Sequence, residues 1–249
     1  DGEIVRLEDL SANAAEMAAG SPSVSRVFQV IGDIAVIPVE GTLVNKNGLE
    51  PYSGMTGYDG LSTKLWSAVA DPTVAGIMLN IESPGGEVGG CFDLADQIRE
   101  AQATKPVWAM LSEYAYSAAY ALASQCARIY VPATGGAGSI GVITMHTDYS
   151  KYLEDEGIAI TLIHAGANKA DRNPYAPLPE AVRASVQSDL DRVYGLFVDL
   201  VANGRGMTDA QVRATEAGCY LGEAAVSVGL ADRIGPPRHA LAEFTEFLS

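Results

Sequence analysis

Residues 74–111 read VAGIMLNIESPGGEVGGCFDLADQIREAQATKPVWAML, and this stretch indicates the fold class. The apolar run at 74–81 predicts a buried strand, and a Ser-Pro-Gly-Gly turn follows it at 83–86. Apolar residues recur at helical spacing over 92–101, and the run at 107–111 predicts the next buried strand. A strand, a helix and a second strand in this order are typical of an α/β fold with a parallel sheet.

The same alternation continues on both sides of this stretch. Further strands are predicted at 34–39, 128–131, 140–145, 158–164 and 231–234, helices at 61–69, 118–125, 149–156 and 179–202, and short elements at 209–217 and 223–228. A loop is predicted at 41–58. In the helix at 179–202 apolar residues return every three to four positions, so it should bury one stripe. The Ala-, Ser- and Glu-rich residues 1–25 predict an N-terminal arm ahead of a single domain at 26–249.

The composition restricts the partners of the protein. The chain carries 16 Lys and Arg against 31 Asp and Glu, a net charge of −15, so it lacks the basic surface that nucleic acid or anionic lipid attracts. None of the apolar runs reaches the roughly 18 residues that a membrane span needs. Three widely spaced cysteines predict neither a disulfide framework nor a zinc site. We therefore expect a soluble protein of a reducing compartment, without a nucleic-acid or membrane partner.

The Ser-Pro-Gly-Gly turn is the first place where chemistry could occur. Gly85 and Gly86 carry no side chain, so their backbone N–H groups can turn toward a ligand, and a developing oxyanion would suit such donors. An ordinary strand-to-helix turn also needs glycine. These four residues alone leave both interpretations open.

Ser117 is the second place, because it opens the predicted small-residue helix at 118–125. A serine at a helix start can serve as a nucleophile, with the free N–H groups of the helix favouring an oxyanion. It can equally be an ordinary N-cap residue. The local sequence does not decide between the two.

A nucleophilic serine needs a base, and the sequence offers few. His239 lies in the tail and His164 ends a predicted strand, which leaves His146, with Asp148 close behind it. Lys169, in the loop at 165–177, is the other option. A lysine accepts a proton only in its neutral form, which burial favours and a carboxylate such as Asp171 opposes. A loop lysine is otherwise a solvated surface charge.

Several motifs together resemble one known family. These are Ser-Pro-Gly-Gly at 83–86, Ser-Ala-Ala-Tyr at 117–120, Gly-Ser-Ile-Gly-Val at 138–142 and a Gly-Ala-Asn-Lys loop that ends at Lys169. The combination resembles the signal peptide peptidase A family, serine proteases with a Ser/Lys dyad in the Clp-protease/crotonase superfamily. Lys169 follows Ser117 by about fifty residues, as in that family, and its closing signature is matched by Gly-Glu-Ala at 222–224 and Gly-Leu-Ala-Asp at 229–232. The resemblance implies an α/β fold with a crotonase/Clp-protease-like spiral of β-β-α units.

Two further stretches narrow the resemblance within the family. PYSGMTGY at 51–58 and NPYAPLP at 173–179 are similar to the head-maturation, or capsid assembly, proteases of lambda-type tailed phages. This implies an endopeptidase without metal or cofactor that processes scaffold, portal or capsid proteins, and itself as a further option. It would act inside the phage prohead in the host cytoplasm, as a homo-oligomer of four or more subunits.

The resemblance also assigns roles to single residues of this chain. It implies that Ser117 is the nucleophile, Lys169 the general base, Gly86 and Ala118 the backbone donors of the oxyanion hole, Ser139 the residue that supports the lysine, and Gly85, Glu87 and Val88 substrate contacts. Ala118 and Ala119 stand where many members have two glycines, which narrows the cleft. His146 stands where Clp-type proteases carry their histidine, so a Ser/His pair remains an alternative.

Two other functions stay open. A crotonase-type acyl-CoA enzyme would use the same oxyanion hole, although we see no basic cluster for the CoA phosphates. A non-enzymatic scaffolding or shell component could retain the fold of a protease without its activity. Labelling of Ser117 by a reagent for active-site serines would separate both from a protease.

Overall fold

A computed structural model describes residues 26–49 and 53–249, and the predicted arm at 1–25 lies outside the described residues. The chain divides into two compact units. The first is built from the described residues up to Ile140 together with Phe197–Ser249, and the second is Gly141–Leu196. The proposed division into an arm and a protease domain at 26–249 stays a prediction.

The first unit contains one sheet, to which nine strands of the described residues belong. They are β1 Gln29–Ile31, β2 Ile34–Val44, β3 Met55–Gly57, β4 Gly76–Gly86, β5 Val107–Tyr116, β6 Arg128–Val131, β7 Gly136–Gly138, β8 Cys219–Leu221 and β9 Arg233–Ile234. The main order is β1-β2-β4-β5-β6-β9, while β3 pairs with β2, and β7 lies between β5 and β8. Among these nine described strands, only the pairs β1–β2 and β7–β8 are antiparallel, so the predicted α/β fold with a largely parallel sheet is confirmed.

The helices of the described residues follow the predicted order. They are α1 Tyr58–Ala70, α2 Cys91–Ala101, α3 Ala118–Ala123, α4 Ser150–Asp155, α5 Glu180–Arg205, α6 Asp209–Arg213, α7 Gly222–Ser227 and α8 Pro237–Leu248. Every residue of α3 is buried, and its small side chains allow close packing against β4. Among the described residues, none of these helices is long and apolar enough to cross a bilayer.

Both faces of the central strands are buried, which explains their nearly continuous apolar sequence. On one face Ile37, Val39 and Leu79 pack with apolar residues of α1, α2 and α3. On the other face Trp108 stacks on Phe244 of α8, with ring centroids 4.5 Å apart. The sequence analysis missed α8 and placed its residues in a tail. This packing on the sheet stabilises α8.

Several predicted boundaries are wrong at the ends of the strands. β2 continues to Val44 and β3 forms at Met55–Gly57, where a loop was predicted at 41–58. β4 runs through the Ser-Pro-Gly-Gly stretch to Gly86. Irregularities at Glu40/Thr42 and Ile81/Ser83 shift the register of these strands. Such bulges bend strands, so the Ser-Pro-Gly-Gly residues, which are common in turns, remain part of β4.

The strands predicted at 140–145 and 158–164 do not form in the second unit. A strand needs a neighbour for its backbone groups, and within the described residues these two segments pair with no strand. Of the apolar side chains in these two segments, Ile140 is buried and Val142 is half-buried, and the others are exposed, including Ile143 at 94% and Ile163 at 95%. The long helix α5 is confirmed, but its apolar stripe becomes fully buried only from Phe197 onward.

Candidate active site

Ser117 occupies a sharp turn between β5 and α3. Its φ of 52° and ψ of −125° lie in a region that residues other than glycine rarely adopt and that costs about 1–3 kcal/mol. The Ser117 N–H donates to the Gly138 carbonyl at 2.9 Å, and the Ser117 carbonyl accepts from the Ala121 N–H at 3.0 Å. Bonds on both sides therefore hold a half-buried serine in a strained strand–turn–helix junction, the context of many catalytic nucleophiles.

The structure contradicts the interpretation of Ser117 as an ordinary N-cap. An N-cap serine has extended backbone angles, and its hydroxyl accepts a bond from the second or third amide of the helix. Ser117 has neither the angles nor the side-chain bond. The first amides of α3, beginning with the Ala118 N–H, have no carbonyl one turn earlier within the helix to bind.

The Gly85–Gly86 segment lies directly against the Ser117 turn. A Cβ added to Gly85 would lie 2.7 Å from the Ser117 Cβ and 2.9 Å from the Ala118 nitrogen, so only glycine fits there. A Cβ at Gly86 would collide with the Leu43 carbonyl. Two motifs thirty residues apart in sequence thus meet, because β4 and β5 are neighbouring parallel strands that end at the same edge.

Buried Ser83 fixes the first half of this segment. Its hydroxyl donates to the Gly41 carbonyl at 2.6 Å and accepts from the Gly85 N–H at 3.1 Å. Gly85 itself has a φ of 101°, which a side chain would oppose. The serine of the motif is therefore a structural part of the turn.

Ser139 lies beside the same turn. It follows Gly138, whose carbonyl holds the Ser117 N–H, and it too has a positive φ, of 55°. Its own N–H donates to the Gly218 carbonyl at 2.9 Å. The first unit thus brings Ser117, Ala118, Ser139 and Gly85 into one small region.

The residues considered as bases lie in the second unit. Lys169 is exposed, and its backbone N–H donates to the Gly166 carbonyl at 3.2 Å. The Nε2–H of His146 donates to the Asn173 carbonyl at 2.9 Å. Asp148 accepts from the backbone N–H of Ser150 at 2.8 Å, and its hydrogen bonds to Ser150 hold the pKa of this carboxyl below its usual value. The carboxylate of Asp148 thus stabilises the turn that leads into α4.

The closing signature of the sequence has a structural explanation in the first unit. Arg205 at the end of α5 forms a bidentate ion pair with Asp232, with N–O distances of 2.7 and 2.9 Å. Asp232 also accepts from the Ile129 N–H, and the hydroxyl of Tyr120 in α3 donates to the Leu230 carbonyl at 3.0 Å. The Gly-Leu-Ala-Asp segment therefore links the helix that follows Ser117 to the sheet and to α5.

The sequence analysis missed the contacts behind the Gly85–Gly86 segment. The Tyr58 hydroxyl donates to the Glu87 carbonyl at 2.7 Å, and the Cys91 sulfur lies 3.6 Å from the Ala118 carbonyl. Cys91 was considered only for a disulfide or a zinc site, and Tyr58 was noted only as the last residue of the PYSGMTGY stretch. Glu87 and Val88, both exposed, remain candidates for substrate contact. Within residues 26–49 and 53–249, no group of three or more His, Cys, Asp and Glu side chains could hold a metal ion.

Comparisons with curated proteins find phage relatives over most of the chain. This chain is 44% identical over 220 residues to the Head-tail preconnector protein GP5 of Enterobacteria phage P21. The aligned region covers 88% of this chain and 44% of that protein. The chain is 44% identical over 214 residues to the Capsid assembly protease C of Escherichia phage lambda, covering 86% of this chain and 49% of that protein. The chain spans about half the length of these relatives.

A solved structure supports the fold. A ClpP1 variant from Listeria monocytogenes aligns with a TM-score of 0.50 at 13% identity, covering 83% of this chain and 94% of that one. The Clp-protease-like fold is therefore confirmed. The family model of peptidase family S49 matches residues 99–248, well over half of the chain. The chain belongs to peptidase family S49.

Proposed function

We propose that the protein is a serine endopeptidase in which Ser117 is the nucleophile and Lys169 the general base. The observation that carries this proposal is the conformation of Ser117. Its backbone is strained, its hydroxyl does not cap α3, and the backbone of Gly85 packs against it. A peptidase that used another nucleophile would have no use for this strain. The role of Lys169 rests on the resemblance to Ser/Lys proteases, in which the lysine follows the serine by about fifty residues, as it does here.

The proposed reaction proceeds through an acyl-enzyme. The neutral Lys169 amine takes the proton of the Ser117 hydroxyl while its oxygen attacks the scissile carbonyl. The amides of Gly86 and Ala118 donate to the oxyanion that forms, and the protonated amine then gives its proton to the leaving amine. Water then takes the place of the leaving amine. Lys169 accepts a proton from the water as it attacks the ester, and this proton passes to the Ser117 oxygen when the acyl group leaves. Ser139 orients the lysine amine.

The substrates are inferred from the names of the phage relatives. We infer that the protein cleaves scaffold, portal or capsid proteins, and itself, inside an assembling prohead in the host cytoplasm. The test is to mix the purified protein with the scaffold, portal and capsid proteins of its own phage and to identify products by mass spectrometry. We expect a few defined cleavages that are absent with Ser117→Ala. Substrates that stay intact with active, assembled enzyme would contradict the inference.

Exposed apolar residues of the second unit support assembly into a homo-oligomer of four or more subunits. Ile143, Met145 and Ile163 expose more than four fifths of their surface, which is costly for a free monomer. Lys169 is exposed as well, whereas a lysine base needs shelter from water. A neighbouring subunit that packs on this unit would cover both.

Mixing two inactive variants tests whether subunits share the dyad. If Ser117 of one chain uses Lys169 of the next, Ser117→Ala mixed with Lys169→Ala should recover part of the activity that neither has alone. No recovery despite proven co-assembly would place both groups on one chain. Light scattering at the assay concentration gives the subunit number, and a fully active monomer would overturn the proposed assembly.

A further inference from the structure

Glu87, the residue after Gly86, is held at every polar group it has. Its N–H donates to the Leu43 carbonyl at 2.9 Å, and its carboxylate accepts from the Asn45 N–H at 2.8 Å. Its carbonyl accepts from the Tyr58 hydroxyl at 2.7 Å. Although Glu87 is exposed, two bonds fix its backbone, one to the end of β2 and one from the start of α1, and a third bond holds its carboxylate.

Tyr58 is the buried member of this arrangement. It begins α1, exposes only 3% of its surface, and its hydroxyl lies against the Cys91 thiol. Burial, together with the neighbouring Cys91 and Glu87, raises the pKa of the Tyr58 phenol well above its usual value. Tyr58 is therefore a neutral hydrogen-bond donor at every pH at which the protein could work.

Cys91 connects this arrangement to the other side of the site. It begins α2, is buried, and its sulfur lies 3.6 Å from the Ala118 carbonyl, within range of a weak S–H bond. Burial raises the pKa of the Cys91 thiol to about 12, so it stays neutral and is not a nucleophile. Tyr58 and Cys91 together join the carbonyl of Glu87 to that of Ala118.

The Glu87 carbonyl lies two peptide groups after the Gly86 N–H, and the Ala118 carbonyl lies one peptide group after the Ala118 N–H. Glycine peptides rotate easily, so the Gly86 N–H keeps one direction only if its neighbours are fixed. Backbone donors accelerate a reaction only when they are oriented before the oxyanion forms. We propose that Tyr58 and Cys91 are positioning residues that hold the amides of Gly86 and Ala118 in one arrangement. This inference rests on the proposed role of Ser117.

The test measures how fast a fluorophosphonate probe reacts with Ser117 in the assembled protein. Removing an oxyanion donor costs about 10²–10³-fold in rate, and a donor that is kept but no longer fixed should cost less, about tenfold. Tyr58→Phe should therefore lower the rate at saturating probe about tenfold and leave the half-saturating probe concentration unchanged. A merely structural residue would not produce this split.

A matched variant and a conservative variant control the measurement. The Tyr220 hydroxyl also donates to a backbone carbonyl, that of Thr215 at 3.1 Å, so Tyr220→Phe removes the same kind of bond and should react at the wild-type rate. Cys91→Ala should slow the reaction, and Cys91→Ser, which keeps a donor, should restore part of the rate.

The outcomes separate this inference from the proposed function. A wild-type protein that is not labelled at Ser117 contradicts the proposed nucleophile itself. A labelled wild type with equally fast, folded Tyr58→Phe and Cys91→Ala variants overturns the positioning role alone. If circular dichroism shows that Tyr58→Phe is unfolded, Cys91→Ala and Cys91→Ser replace it as the deciding pair. Only the serine keeps a donor for the Ala118 carbonyl, so equal rates in this pair would overturn the inference.

Discussion

Ser117→Ala should abolish peptide cleavage while the protein stays folded. Acylation requires the hydroxyl oxygen, and removal of a serine nucleophile lowers kcat by about 10⁶-fold in a well-studied protease. The same hydroxyl caps no helix here, so its loss should change the free energy of unfolding little. The measurement is cleavage of capsid proteins, with circular dichroism to follow the fold and its melting temperature.

A second serine of β5 provides the matched control. The Ser112 hydroxyl donates to the side chain of Asn80 at 2.7 Å, away from the Ser117 turn in sequence. Ser112→Ala should keep wild-type cleavage. Processing by Ser117→Ala above roughly one per cent of the wild-type rate would be incompatible with a nucleophilic role, since loss of the nucleophile should cost orders of magnitude more.

Lys169→Arg should be as inactive as Lys169→Ala. The arginine keeps the positive charge and much of the length of the side chain, but a guanidinium does not give up its proton in proteins and so cannot act as a base. Cleavage of the capsid proteins by each variant, with circular dichroism to follow the fold, provides the measurement.

Two variants of the second unit complete this experiment. Lys151 is an exposed lysine of α4 that pairs with Asp155, so Lys151→Arg should remain fully active. His146→Ala should remain largely active, because we assign no proton transfer to it. The reverse pattern, with His146→Ala inactive and Lys169→Ala active, would transfer the mechanism to a Ser/His pair.

The meeting of the two motifs could be predicted from the sequence. The Ser-Pro-Gly-Gly stretch and Ser117 both follow buried strands, and neighbouring parallel strands end at one edge of a sheet. The strain at Ser117 could not be predicted, since a serine before a helix is usually a cap. It depends on the Gly138 carbonyl, which β7 supplies from another part of the chain.

Other features depend on contacts that a local pattern does not contain. The alternation of Ile158, Ile160 and Leu162 predicts a strand, yet the described residues provide no partner strand for it, and these side chains are exposed. Helix α8 owes its order to Phe244 packing on Trp108, far away in sequence. The Tyr58 hydroxyl donates to the backbone carbonyl of Glu87, and a backbone acceptor leaves no mark in the pattern of side chains.

The most direct test of the central claim is to locate the serine that reacts with a fluorophosphonate. The assembled wild-type protein is incubated with the probe, digested, and mapped by mass spectrometry. The account predicts one modified residue, Ser117, and no adduct in Ser117→Ala. An adduct at another serine, or an active protein that the probe leaves unmodified at Ser117, would contradict it.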